Sequence, residues 1–187
     1  MTRIYLVRHG DAYGLDGLQL DNYPLNNQGK IQALQLARRL KENKFNSMYC
    51  SRLQRAMETC QIVNEDHQMP VIYTSALNEV GNEDWPRPGQ PTPVAGIKDL
   101  KENADRIYEL FHRFTRRHLN EEIILFTHGN LIRSLLMRIL GEASPTTFTH
   151  FVIHNTSLTI IDVDDTGFEH IISVSDAAHT RLYDTKI

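Results

Sequence analysis

The stretch Arg3-Ile4-Tyr5-Leu6-Val7-Arg8-His9-Gly10 decides the fold of this chain. Its apolar run, Ile4 to Val7, breaks off abruptly in Arg-His-Gly. A short continuous apolar run bounded by polar residues reads as a strand buried on both faces that opens into a loop at its carboxyl end. Behind Met1, such a start has the look of a signal-peptide head. The run is too short for that and charged residues follow at once, so the reading is a buried first strand. The same pattern returns at Glu122–Thr127, a near-continuous apolar strand that ends in His128-Gly129.

Between these two strands the periodicity alternates. Residues 11–26 are rich in Gly, Asp and Asn and read as loop. A helix is expected from Asn27, with Ile31, Leu34, Ala37 and Leu40 inward. A strand is expected at Asn46–Cys50. Ser51 and Gln54 have capping-box spacing, which predicts a helix from Ser51 to about residue 65. Val71–Thr74 reads as a strand. Residues 80–97, studded with proline and glycine, read as an irregular lid. A long helix follows, with Leu100, Ala104, Ile107, Tyr108, Phe111 and Phe114 buried. After His128 another helix turns Leu131, Ile132, Leu135, Leu136 and Ile139 inward. Ser157–Val163 and His170–Val174 read as a hairpin turned by Asp164-Asp165-Thr166-Gly167. Strands alternating with helices predict a three-layer α/β/α sandwich on a mostly parallel sheet, made mixed by the final hairpin.

The chain of 187 residues suits one domain spanning 1–187, with a short lid or specificity segment around 80–120. A formal charge of -3 does not suggest binding to nucleic acid or to an anionic membrane. No apolar run reaches the roughly 20 residues of a membrane span. Cys50 and Cys60 form neither a disulfide framework nor a zinc spacing and read as small apolar core residues in a reducing compartment. The expected location is therefore cytoplasmic. Oligomeric state is not readable.

In a parallel sheet the ligand site lies beyond the carboxyl ends of the strands. His9 and His128 both stand there and are predicted to share one crevice. A phosphate ester brings up to two negative charges, and its transfer is catalysed mainly by positioning and electrostatics. Arginine donates two parallel hydrogen bonds and keeps its charge. A neutral imidazole offers a nucleophilic lone pair, and a carboxyl group can protonate the leaving oxygen. Arg8 and His9 end the first strand, Arg55 lies in the first turn of a helix beside the second, Glu79 lies just past the third, and His128 opens a helix whose free N–H groups favour an anion.

Arg8-His9-Gly10 resembles the signature of the histidine phosphatase superfamily, which includes the phosphoglycerate mutases. Pro24-Leu25-Asn26-Asn27-Gln28-Gly29 with Gln32-Ala33, Ser51-Arg52-Leu53-Gln54-Arg55-Ala56-Met57-Glu58-Thr59, Leu77-Asn78-Glu79 and Thr127-His128-Gly129-Asn130 are similar to further family segments, in family order. Asn155 with Ser157 and Asp176-Ala177-Ala178-His179 resemble its last motifs. The resemblance implies a phosphoglycerate mutase-like fold and a metal-independent, cofactor-free phosphatase hydrolysing phosphomonoesters through a phosphohistidine on His9. Arg8, Arg55 and His128 would clamp the transferred group, with Gly10, Gly129 and Asn155 beside it, and Glu79 would act as acid and base. The partner would be a phosphorylated small molecule or a phosphoprotein. Alternatives are a phosphohistidine or phosphoserine/threonine protein phosphatase, or a non-catalytic phospho-ligand-binding relative.

Departures from the family pattern are informative. Asp11 stands for the usual Glu, and Leu15 stands where many relatives carry an Asn on the phosphate, leaving Asn22 and Asn155 as replacement donors. Glu83 and Asp84 compete with Glu79 for the acid role. About 48 residues separate Glu79 from His128, and the resemblance implies that a mutase would have a longer closing insertion there, so hydrolysis is favoured over mutase action. Tyr13, Trp85 and Arg87 are candidate pocket residues. His150 and His154 lack a third ligand at metal spacing, and Asp162, Asp164 and Asp165 fit a hairpin turn better than a calcium site. Arg113, Arg116 and Arg117 read as a solvated face that could also steer an anionic substrate.

Overall fold

A strand whose consecutive residues are all apolar needs cover on both faces. In the computed structural model, which describes residues 1–12, 22–81, 84–87, 89–142 and 144–180, Thr2–Arg8 (β1) is such a strand. Its Tyr5 and Val7 pack with Leu36, Ala37, Leu40, Ala56, Cys60 and Val63, whereas Ile4 and Leu6 pack with Ile107, Phe111, Leu131 and Leu135. The first group comes from two helices, Asn27–Leu40 (α1) and Gln54–His67 (α2). The second comes from Val94–Arg117 (α3) and Gly129–Ile139 (α4). The expected three layers are therefore present.

The remaining strands are Ser47–Ser51 (β2), Val71–Thr74 (β3), Glu122–Thr127 (β4), Leu158–Val163 (β5) and Glu169–Asp176 (β6). They form one six-stranded sheet in the order β3-β2-β4-β1-β5-β6. β3, β2, β4 and β1 are mutually parallel, and β5 alone runs against the others. Arg8 pairs with Thr127 and Val7 with Phe126, so β1 and β4 end side by side. From those ends the chain leaves in opposite directions, toward α1 on one face and α4 on the other. A crevice opens between them, as it does wherever neighbouring parallel strands connect to opposite faces.

Some local expectations are corrected. In α1 the buried residues are Gly29, Ala33, Leu36, Ala37 and Leu40, while Ile31 and Leu34 are about half exposed. Those two share a helical face with polar Arg38, and the small residues Gly29 and Ala33 let α1 approach the loop after β1. Ser51 does not cap a helix: it ends β2, and Asn22 Oδ1 instead accepts the Gln54 backbone N–H at 2.6 Å. The helix Pro145–His150 (α5), capped by Ser144, was not foreseen. Of the segment 80–120, residues 94–117 belong to α3, leaving the irregular part ahead of it. Trp85 is buried there against Phe148, donates its indole N–H to Asp99, and forms a small third cluster with Leu100, Ala104 and Met137, so it is a packing anchor and not a pocket residue. Arg113, Arg116 and Arg117 lie in the last turns of α3, which lead into the start of β4, the opposite end of the sheet from the crevice. A steering role near the crevice is thereby removed. Tyr13, Leu15 and Glu83 lie outside the described residues. No described helix is long and apolar enough to cross a membrane.

Candidate active site

The loop that follows β1 is fixed by close backbone packing. A Cβ on Gly10 would come within 2.6 Å of the Gly29 carbonyl oxygen, and one on Gly29 within 2.0 Å of the Asp11 carbonyl oxygen. Only hydrogen side chains fit such a contact. Asn26 caps α1 by accepting the Gly29 N–H at 2.8 Å, and the Asn26 N–H returns to the Asp11 carbonyl at 3.0 Å. The Gly10 N–H donates to Thr59 Oγ1 at 3.0 Å, and the Thr59 hydroxyl donates to the Arg55 carbonyl at 2.7 Å. The turn carrying His9 is thus tied to both helices of one face. On the other side, Asn155 Nδ2 donates to the His9 carbonyl at 3.1 Å.

His9 is 6% exposed. Its Nδ1 lies 2.7 Å from its neighbour's carbonyl oxygen, Gly10 O, which can only accept, so Nδ1 carries the proton and Nε2 the lone pair. Arg55 Nε–H donates to that lone pair at 3.1 Å. Burial, then the Arg8 and Arg55 charges, push His9 down to about 3, outweighing the Gly10 contact, so the ring stays neutral near pH 7. The His128 ring lies 5.0 Å from that of His9, centroid to centroid. Its Nε2 is 2.8 Å from Ser51 Oγ, and burial followed by the His9, Arg55 and Arg8 charges holds it well below its ordinary value.

Glu79 stands at the N-terminus of α4, where it accepts the Val80 N–H at 3.1 Å and the Leu131 N–H at 3.3 Å on Oε1. Burial raises its pKa above the usual carboxylate value, opposed by the Val80 and Asn130 N–H groups and by Arg55 and Arg8. Arg8 donates to the Ile153 carbonyl, and its side chain lies against Gly129. Arg8, His9, Asp11, Ala12, Tyr23, Arg55 and Asn155 line a cavity of about 160 Å³. Of the residues read from the sequence, Arg8, His9, Arg55 and Asn155 line this cavity, while His128 packs behind His9, Gly10 follows it, Gly129 lies against Arg8, and Glu79 is within electrostatic reach of Arg55 and Arg8. Of the two candidate replacement donors, Asn155 lines the cavity and Asn22 caps α2. Arg87 is exposed.

Sequence reasoning assigned no role to Thr59, Asn78 or Tyr23. Thr59 had a signal, since it lies one helical turn beyond Arg55 on the same face. Asn78 and Tyr23 had none in pattern or spacing. Among the described residues, no group of three or more His, Cys, Asp or Glu stands close enough to hold a metal ion.

This arrangement can hold a tetrahedral anion between two guanidiniums and two imidazoles, with a nitrogen lone pair facing it and a carboxyl group near the helix end. The sequence matches the family model of the histidine phosphatase superfamily (branch 1) over residues 4–92 and 82–173. It is 25% identical to an adenosylcobalamin/alpha-ribazole phosphatase of Escherichia coli, an alignment covering 87% of this chain and 90% of that protein. It is 28% identical to a metal-independent phosphoserine phosphatase of Arabidopsis thaliana, covering 96% and 83% respectively. Among solved structures, a mutant phosphoserine phosphatase from Entamoeba histolytica in complex with phosphoserine superposes with a TM-score of 0.74 at 23% identity, covering 96% of this chain and 99% of that one. A phosphoglycerate mutase from Bacillus anthracis superposes with a TM-score of 0.76 at 19% identity, covering 96% and 95%.

Proposed function

This chain belongs to the histidine phosphatase superfamily, and from that premise we propose that it is a metal-independent phosphatase that hydrolyses small phosphomonoesters through a phosphohistidine on His9. The observation that carries this reading is the state of His9: Nδ1–H is fixed on the Gly10 carbonyl, and Nε2 keeps an unprotonated lone pair, held by the Arg55 Nε–H. In the first step Nε2 attacks phosphorus, the ester P–O bond breaks, and Glu79 gives its proton to the leaving oxygen. The Gly10 carbonyl stabilises the positive ring that forms. Arg55 leaves Nε2 and follows the charge onto the phosphoryl oxygens, joining Arg8 and His128. In the second step water attacks phosphorus, the P–N bond breaks, and the Glu79 carboxylate takes the water's proton, so the enzyme is restored. Both steps place negative charge beside guanidiniums, which lowers the barrier, with Arg55 alone changing partner.

The upward shift of the Glu79 pKa is in the direction that favours an acid role, since it makes the protonated form more accessible. The small cavity favours a compact substrate, and relatives named as phosphatases of small phosphorylated metabolites support the same class. Length alone does not separate hydrolysis from mutase action, because a phosphoglycerate mutase structure aligns over 95% of its own chain. The test is hydrolysis of a panel of phosphomonoesters, phosphoserine and an aryl phosphate included, in excess chelator. The expected result is turnover that His9→Ala abolishes, with acid-labile, base-stable phosphate on His9 after brief exposure to substrate. Undiminished turnover in His9→Ala refutes the nucleophile. Phosphoryl exchange between phosphoglycerates exceeding hydrolysis assigns a mutase instead.

A further inference from the structure

His128 is fully buried, its Nε2 is 2.8 Å from Ser51 Oγ, and its Nδ1 has no hydrogen-bond partner in the protein. The groups behind it decide which nitrogen bears the proton. The Arg52 backbone N–H donates to Asn78 Oδ1 at 2.9 Å, and Ser51 Oγ is 2.9 Å from the same atom. A backbone N–H can only donate, so the Asn78 atom it faces is the carbonyl oxygen, and that oxygen can only accept. The single Ser51 hydroxyl proton is therefore committed to Asn78. Ser51 Oγ also accepts the Leu53 N–H at 3.1 Å. Toward His128 it offers a lone pair, so His128 must donate Nε2–H, and in the neutral ring Nδ1 is a bare lone pair that would repel a phosphoryl oxygen.

We propose that Ser51, oriented by Asn78, is a positioning residue that locks His128 in its Nε2–H tautomer, so that a tetrahedral dianion enters the crevice only together with one proton, carried on Nδ1. The inference rests on the crevice being a phosphoryl site. Neutral His128, a dianion and a proton give an imidazolium–dianion pair, and the only covalent bond formed is N–H. The ionisable groups around His128 are Arg8 and His9 from the end of β1, Arg55 from α2, and Glu79 at the start of α4. In the free protein burial, with the Arg55 and Arg8 charges, keeps the ring neutral near pH 7. A dianion among them reverses the local field. Between the free and bound pKa values of His128, affinity should then fall about tenfold per pH unit.

The probe is tungstate, a tetrahedral dianion with no proton of its own to give. Calorimetry in two buffers of different protonation enthalpy should show uptake of about one proton per tungstate bound near neutral pH. Imidazole 15N spectra should show His128 as Nε2–H in the free protein and protonated on both nitrogens in the complex. Asn78→Ala frees the Ser51 hydroxyl to turn toward Nε2, and Ser51→Ala removes it. Each opens the neutral Nδ1–H tautomer, so proton uptake and the pH slope of affinity should drop to a fraction of the wild-type values, with Ser51→Thr restoring them. A merely structural role would weaken binding without changing its proton stoichiometry. An Nδ1–H tautomer in the free wild-type protein overturns the inference, and that result does not depend on any variant folding. Tungstate bound without proton uptake by a chain that does hydrolyse aryl phosphates sinks this inference alone. Proton-coupled binding without any hydrolysis sinks the phosphatase reading alone, and no tungstate binding overturns both.

Discussion

Each nitrogen of His9 has its own task. One is held by a backbone carbonyl and the other accepts the Arg55 N–H as the proposed nucleophile, and this division needs no carboxylate partner. In the proposed mechanism Glu79 is the proton carrier, and its contribution depends on the leaving group. Glu79→Gln should slow hydrolysis of an alkyl phosphate roughly 10²–10⁴-fold. With nitrophenyl phosphate, whose leaving group needs no acid, release of nitrophenolate should be far less affected and should appear as a burst while phosphohistidine accumulates. Equal losses on both substrates in stopped-flow assays would remove Glu79 from the acid role. Away from the crevice, buried His118 is held between the Tyr49 hydroxyl at 2.7 Å on Nε2 and Glu121 at 2.6 Å on Nδ1. Tyr49→Phe should cost about 1–3 kcal/mol in urea denaturation, by leaving a buried ring nitrogen unpaired. His9, His128 and the arginines were legible because their chemistry and their places at strand ends agree. The role of Ser51 was not, because its partners Asn78 and His128 lie 27 and 77 residues away and nothing local marks the pairing. Its spacing to Gln54 pointed to a cap that the fold does not use.

At the scale of elements, the site depends on how closely α1 seats on the His9 turn. Gly29→Ala would set a Cβ 2.0 Å from the Asp11 carbonyl oxygen, which is backbone and cannot swing aside. Overpacking of this kind costs about 1–3 kcal/mol, and here the displaced segment carries His9, the proposed nucleophile. The expected outcome is a lower melting temperature together with a loss of kcat/KM larger than for an alanine at exposed Lys30. The irregular stretch before α3 is held differently, through Trp85. Trp85→Ala should cost about 3–5 kcal/mol by opening a cavity beside Phe148 and Met137, and Trp85→Phe should recover most of that in the same denaturation assay. The strands were read from sequence almost to the residue, since continuous apolar runs have no other stable home. In α1 a choice existed between two apolar stripes, and the helix buried the one containing Gly29 and Ala33. Periodicity does not reveal that a small-residue face is the one that meets the neighbouring loop.

For the whole molecule, the buried histidines make the fold acid-sensitive. His9 titrates near 3 and His179, lowered by burial and by Arg39, near 4, while His128 lies well below 6.5, the value each approaches in the unfolded chain. Below 6.5 the unfolded chain takes up protons that the folded one refuses, so stability falls as pH drops and levels off only once these depressed values are passed. Glu79, shifted upward, opposes this between its ordinary 4.5 and its raised folded value. The urea midpoint should decline steadily from pH 7 to pH 4, and a flat profile would show that the histidines are not held neutral. The sheet order adds a consequence for the chain as it is made. Of the six strands of the sheet β1 is made before the other five, yet its neighbours, β4 and β5, come fourth and fifth in chain order. A nascent polypeptide must therefore carry Ile4, Leu6 and Val7 with both rims open until β4 has emerged, and with one still open until residue 163 has followed. Synthesis halted at midpoint would yield a sticky, inert fragment, and the work of keeping that early strand out of trouble would fall to the cell's chaperones.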